Sequence, residues 1–303
     1  MKKRVRSAAA RAALGCALLA PTACDEPLSA VEAIDKTRVV GARVEVNGEP
    51  SRAAPLAGEN VVVRFFVLSP DPAPALAYEL EACMASDSAS DLTTCAGEPL
   101  ATAARLVPVN EPPSITFVAP APARGDERLA VLGAVCSSGI GLPAEGATSC
   151  DDGSGVLRTT LDFSMDDGSH PNTNPALASV TFDSEELAAA TALSTECAEL
   201  PGFAGGIKHR LTIAVEPSSR DALRRETELD PTRESLLFSY FVTRGDVDHA
   251  WSALDANDAA DTTGVIWTAP EVSAPSLARF AVVVRDGRGG SDFAERRICI
   301  LPR

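Results

Sequence analysis

Apolar residues in this chain fall at alternate positions or in short unbroken runs, closed by Pro, Gly, Asp or Asn, and that period of two predicts β-strands almost throughout. The clearest stretch is 264–300, GVIWTAPEVSAPSLARFAVVVRDGRGGSDFAERRICI. A short strand at 265–268 is stopped by Ala269-Pro270, because proline offers no N–H to a ladder and holds its predecessor extended. A longer strand at 278–285 places Phe280, Val282 and Val284 on one face and Ala281 and Val283 on the other, so both faces are written for burial. Asp286-Gly287-Arg288-Gly289-Gly290 then accepts the positive φ of a hairpin turn, and the chain returns through Phe293, Ile298 and Ile300.

The pattern recurs at 114–139, SITFVAPAPARGDERLAVLGAVCSSG, with Pro120 matching Pro270 and Ala130 matching Phe280 at a constant offset of 150. Further upstream, 39–46 resembles 176–183 and 60–67 resembles 210–215. Self-similarity at this spacing argues for two copies of one domain-sized unit. The expected division is domain 1 at 38–165, a linker at 166–175 rich in turn formers, and domain 2 at 176–303. Strands are predicted in the first at 39–46, 60–67, 76–81, 115–118, 129–135 and 156–163, with one more near 103–107. The second adds 211–215 and 236–242 to the three of its closing stretch. One segment departs: 184–200 is alanine-rich, and Asp183 with Glu186 has the spacing of a capping box, which predicts a short helix.

The first 23 residues read as a bacterial signal peptide, with Lys2, Lys3, Arg4 and Arg6 ahead of an apolar run at 12–20. That run is too short to span a bilayer. Cys24 follows Pro21-Thr22-Ala23, which resembles the lipobox of bacterial lipoproteins; this makes Cys24 the lipidated first residue and 24–37 a polar tether. Leu14-Gly15-Cys16 is a weaker candidate, and an ordinary cleaved signal is the alternative. Asp25 resembles an inner-membrane retention signal of Gram-negative lipoproteins. Beyond Cys16 and Cys24 the cysteines are Cys83, Cys95, Cys136, Cys150, Cys197 and Cys299, an even set for which an oxidising compartment implies disulfides. Proximity and domain membership favour Cys83 with Cys95, Cys136 with Cys150 and Cys197 with Cys299; without that assumption six cysteines leave about 15 connectivities open.

Formal charge is −15, and the signal carries five basic residues and no acidic one, so the mature chain lies further toward the acidic side. Nucleic acid is thereby disfavoured as a partner, and contact with anionic lipid falls to the N-terminal lipid. Aromatic residues make up only 5%, and Trp251 and Trp267 are the two tryptophans, few for a carbohydrate platform.

With Phe238-Ser239-Tyr240-Phe241, the Trp267-Thr268-Ala269-Pro270 element and the hairpin at 282–290, the chain resembles the tandem immunoglobulin-like domains, of PKD and cadherin-like type, of bacterial envelope lipoproteins. The resemblance implies an all-β fold of two Greek-key β-sandwiches, and no catalytic residue. His170, His209 and His249 are dispersed and read as surface histidines, and no Gly-x-Ser-x-Gly, phosphate-loop or His-Glu-x-x-His motif occurs. Arg244-Gly245-Asp246 reads as a turn. Asp255, Asn257, Asp258 and Asp261 gather oxygen ligands as calcium loops do, and they also suit an exposed turn. Asp151, Asp152, Asp166 and Asp167 are the carboxylates a hydrolase of paired acids would draw on. The expectation is a non-enzymatic, lipid-anchored envelope protein working as a spacer or protein-interaction module; an adhesion or glycan-binding module, assisted by calcium, is the alternative. Its partners are then envelope proteins or surface glycans.

Overall fold

The computed structural model describes residues 31–70, 75–86, 93–108, 111–121, 128–137, 149–151, 153–166, 172–189, 196–220, 222–223 and 232–303. The signal segment, Cys16, Cys24, Asp25, Asp152, Asp167 and His170 lie outside them. Residues 31–303 form one compact unit.

Seven strands build the first half: β1 Arg38–Val46, β2 Asn60–Leu68, β3 Leu76–Ser86, β4 Thr94–Val107, β5 Ser114–Val118, β6 Arg128–Cys136 and β7 Leu157–Ser164. They pair as β1-β2-β5 and β4-β3-β6-β7, two sheets with the chain crossing between them after β2, β4 and β5. Their alternating residues interleave in one core around Val44, Val63, Phe65, Tyr78, Leu80, Leu129, Val131 and Phe163.

The second half contains β8 Leu177–Phe182, β9 Glu185–Glu186, β10 Gly202–Ala204, β11 Lys208–Val215, β12 Ala222–Leu223, β13 Thr232–Arg233, β14 Leu236–Val242, β15 Asp246–Val247, β16 Trp251–Leu254, β17 Thr262–Thr268, β18 Ser276–Arg285 and β19 Ser291–Leu301. Its sheets run β15-β17-β11-β8-β9 and β10-β19-β18-β14-β16. Within them β8-β11-β17 repeats the order β1-β2-β5, and β16-β14-β18-β19 repeats β4-β3-β6-β7. The all-β, immunoglobulin-like architecture is therefore carried by one strand order used twice. The second core holds Phe182, Phe238, Tyr240, Trp267 and Phe280, with Trp267 edge-on to Phe280 at a ring distance of 4.9 Å.

Disulfides join Cys83 to Cys95, Cys136 to Cys150 and Cys197 to Cys299. The first sits where β4 bulges: the register passes from Ala82↔Ala101 to Met84↔Ala96, so residues 97–100 stand opposite a single residue of β3. That bulge, with Gly97 and Pro99 inside it, hides from the sequence a strand much longer than 103–107.

The predicted helix at 184–200 is absent from its described residues. Asp183 and Ser184 both have positive φ, 45° and 75°, and turn the chain directly from β8 into β9, the backbone that a two-residue hairpin of this hand requires. A 3-10 turn at Cys197–Glu199 is the only helical piece among the described residues of that segment. Asp183 caps no helix; its carboxylate accepts the Arg210 N–H at 2.8 Å and faces His209 at 2.6 Å.

Candidate functional site

The most elaborated region is the junction between the two sandwiches. β18 contributes Phe280, Val282 and Val284 to the second core, while Ala281 and Val283 on its other face pack with Val40 and Leu68 of the first sandwich and with Ile34. Phe66 stacks on Phe293 across the same seam, ring centroids 4.8 Å apart. A strand buried on both faces is thus explained: its outer face is the floor of a third, smaller core.

Polar groups close the rest of the seam. β1 is an edge strand, and unpaired edge carbonyls invite pairing with other chains. Here each alternate carbonyl is taken by a side chain. Val40 O accepts from the Arg285 guanidinium, Ala42 O from the Ser291 hydroxyl, and Val44 O from Asn174 Nδ2 at 2.7 Å. Asn174 also donates to Pro50 O at 2.9 Å and accepts the Ser291 N–H at 2.9 Å. Asn172 Nδ2 donates to Asp286 at 2.8 Å while the Asn172 backbone carbonyl accepts the Ala53 N–H. The Arg43–Asp292 ion pair, 2.8 Å long, spans the same boundary. The expected linker at 166–175 is therefore, in its described part, a buried strap: Asn172 and Asn174 are 3% and 2% exposed. The end of the expected tether is bound too, since Ala33 bridges to Val242 and Ile34 is buried.

The turn at the end of β18 is held by Asp286, whose Oδ1 accepts the Arg288 and Gly290 N–H groups at 2.7 and 2.9 Å. Burial raises the Asp286 pKa, and these bonds with that from Asn172 only partly oppose the rise. Gly289, at φ 108°, lies so close to β7 that a Cβ would stand 2.6 Å from Phe163 Cβ.

A second node lies under the acidic loop at 255–261. Arg220, with a side chain 0% exposed, spends its guanidinium on that loop. Nε and Nη2 donate to Glu234 O at 3.2 and 3.1 Å, Nη2 to Asp255 O at 2.7 Å, and Nη1 to Asp258 O at 3.3 Å, Ala260 O at 3.0 Å and Asp261 Oδ1 at 3.2 Å. Arg233 adds bonds to Asp261 Oδ1 and Asp258 O, both at 2.6 Å. Asp258 Oδ2 accepts the Asp255 N–H at 2.9 Å, and Asn257 is exposed. Of the side-chain oxygens expected to collect calcium, the Asp261 carboxylate is thus taken by two arginines, which also hold the loop's backbone carbonyls.

His209, expected at the surface, is 4% exposed and lies tilted against Trp267, ring centroids 5.6 Å apart. Its Nδ1 faces Asp183 and its Nε2 faces Ala204 O at 2.9 Å. Burial alone would raise the Asp183 pKa, but the bonds from Arg210 N–H and His209 hold it below the usual aspartate value. The legible signal was parity, because His209 occupies the inward register with Leu211, Ile213 and Val215. His249 is exposed beside Asp248 at 2.8 Å. Gly245 of the Arg-Gly-Asp turn has φ 76° and no room for a Cβ against Thr268 O, and the Trp267 indole donates to Arg244 O at 2.9 Å.

Of the four acids considered for hydrolysis, the described residues include Asp151, which is exposed, and Asp166, whose N–H donates to Pro55 O. Among the described residues, Glu81 with Cys83 and Cys95 is close enough to hold a metal, but both sulfurs are in a disulfide. Trp251 is 63% exposed on the edge strand β16, and Leu237 beside it is 42% exposed.

No protein-family model matches this chain, and no curated protein matches its sequence. Among solved structures, Escherichia coli alpha-2-macroglobulin activated by porcine elastase is similar over 88% of this chain and 22% of that one, at 10% identity and a TM-score of 0.24. The chain therefore spans about a fifth of that protein's length, and a likeness this slight carries no argument about function.

Proposed function

We propose that this is a non-enzymatic, lipid-anchored envelope protein whose two PKD-like sandwiches act as a rigid spacer or protein-interaction module. The observation that supports it best is the junction: a dedicated apolar core plus side-chain caps on three successive outward carbonyls of β1 make one body of two sandwiches. Relative motion of domains is the default where few contacts cross an interface, and this one combines an apolar cluster with side-chain hydrogen bonds and an ion pair across it. Disulfides within each half suit an oxidising envelope compartment. Attachment through Cys24 to a membrane of a Gram-negative bacterium completes the reading.

A second reading, an adhesion or glycan-binding module, is favoured by the exposure of Trp251, since an open indole is the surface a sugar ring stacks on. Chemical cross-linking in the native envelope, followed by capture and mass spectrometry, separates the two. A defined protein partner cross-linked through the sandwiches supports the spacer reading. Recovery of glycan alone, or of a protein that stays soluble with Cys24 unmodified, defeats it.

A further inference from the structure

Beside the junction, residues 39–42 of β1, residues 159–162 of β7 and the turn after Arg285 enclose a cavity of about 320 Å³. A second cavity, of about 350 Å³, opens on the other side of that turn, and the two share Asp162, Gly287 and Gly289 in their walls. Clefts between domains are where small ligands usually bind. Two groups here are left wanting. Arg285 donates to Val40 O and, at 3.1 Å, to Ser239 Oγ, and it has no carboxylate partner among the described residues. Its neighbours differ: Arg128 is paired with Asp162 and Arg288 with Glu234. Burial without a counter-charge lowers the Arg285 pKa, the direction expected of a cation short of an anion. In the wall of the second cavity Asn172, 3% exposed, has an Oδ1 with no hydrogen-bond donor among the described residues. Buried polar atoms are nearly always satisfied, and none of the described residues donates to this one.

We propose that this paired cleft binds a polyhydroxylated carboxylate of the uronic-acid type. The carboxylate answers the guanidinium of Arg285, for which a planar oxyanion is the matching partner. Hydroxyl groups answer the threonine-bearing wall at Thr159 and Thr160, and those of a longer glycan reach the second cavity, which Asn172 lines. The size of the first cavity suits one sugar ring, and a longer acidic glycan has the second to enter. The site is distinct from the exposed Trp251 and does not depend on the spacer reading, since a rigid junction can hold a ligand whatever it connects.

The test is the thermal unfolding midpoint of the mature protein with sodium glucuronate, glucose or inorganic phosphate, at matched ionic strength. Glucuronate at about ten times its dissociation constant should raise the midpoint by about 2–4 °C, and glucose should not. Arg285→Gln should abolish the rise. Because Arg285 also caps β1, Thr160→Trp provides a second variant, filling the first cavity from an exposed position away from the seam; it too should abolish the rise. The proposal is overturned if glucuronate gives no shift in the wild type, if glucose gives an equal one, or if phosphate matches glucuronate. A glucuronate shift that persists undiminished in a folded Thr160→Trp variant also overturns it.

Discussion

Replacing Arg220 by alanine is the sharpest test of how the second sandwich holds its acidic loop. Four backbone carbonyls, those of Glu234, Asp255, Asp258 and Ala260, and the Asp261 carboxylate lose a fully buried donor at once. A buried acceptor left unsatisfied costs about 1–3 kcal/mol, although loop carbonyls near the surface recover water and Arg233 keeps its hold on Asp261 and Asp258. Treating Glu234 O as fully stranded and the other oxygens as partly rehydrated gives about 3–5 kcal/mol, the range found when one member of a buried ionic network is removed. At about 2–4 °C of midpoint per kcal/mol for a domain of this size, thermal unfolding followed by calorimetry should fall by about 6–20 °C. Arg220→Lys should lose most of the same amount, since an ammonium has three donors on one atom and cannot span this ring of oxygens. A fall below about 2 °C for the alanine variant would mean that the loop stands without its guanidinium, and the argument would be wrong.

The same geometry predicts that millimolar calcium leaves the wild-type unfolding midpoint unchanged, because arginine already engages the Asp255, Asp258 and Ala260 carbonyls and the Asp261 carboxylate; a rise that chelator reverses would refute this. Asp183, whose folded pKa lies below its unfolded one, adds stability that is present above the unfolded pKa and lost as pH falls through the folded one. Asp183→Asn should accordingly flatten the acid limb of a stability–pH curve measured in urea. Asp286 has the opposite sign: its folded pKa is raised, so its favourable contribution is present at low pH and lost as pH rises through the folded value. Asp286→Asn, with Asn172 turned to accept its amide, should match or exceed the wild type at neutral pH and lose that advantage on acidification. Asn174→Ala strands Val44 O and the Ser291 N–H, and should cost about 1–3 kcal/mol in denaturant titration.

Most strands were legible because a half-buried sheet writes its own period of two; the ranges at 39–46, 60–67, 236–242 and 278–285 differ from the observed strands by only a few residues. Alternation also implied a double burial for β18 without naming what covers its outer face. What could not be read was long-range polar chemistry. Asn172 and Asn174 look like turn formers because asparagine usually satisfies itself locally, and here they reach a carboxylate and a carbonyl more than a hundred residues away. Arg220 is likewise invisible as the cation of the loop at 255–261, since nothing in spacing links it to acids 35 to 41 residues on. The helix expected at 184–200 failed for a local reason: Asp and Ser side chains serve tight turns as readily as helix caps, and positive φ at both residues decided for the turn.

A strand that furnishes side chains to two cores also ties their fates in time. If β18 loses its place, Phe280, Val282 and Val284 leave one core as Ala281 and Val283 leave another, so neither sandwich can open alone without exposing apolar surface on its neighbour. Cooperativity then extends over both halves, and calorimetry should record a single transition in which the calorimetric and van't Hoff enthalpies agree. Such coupling removes the half-open states on which proteases and strand-exchange between molecules depend.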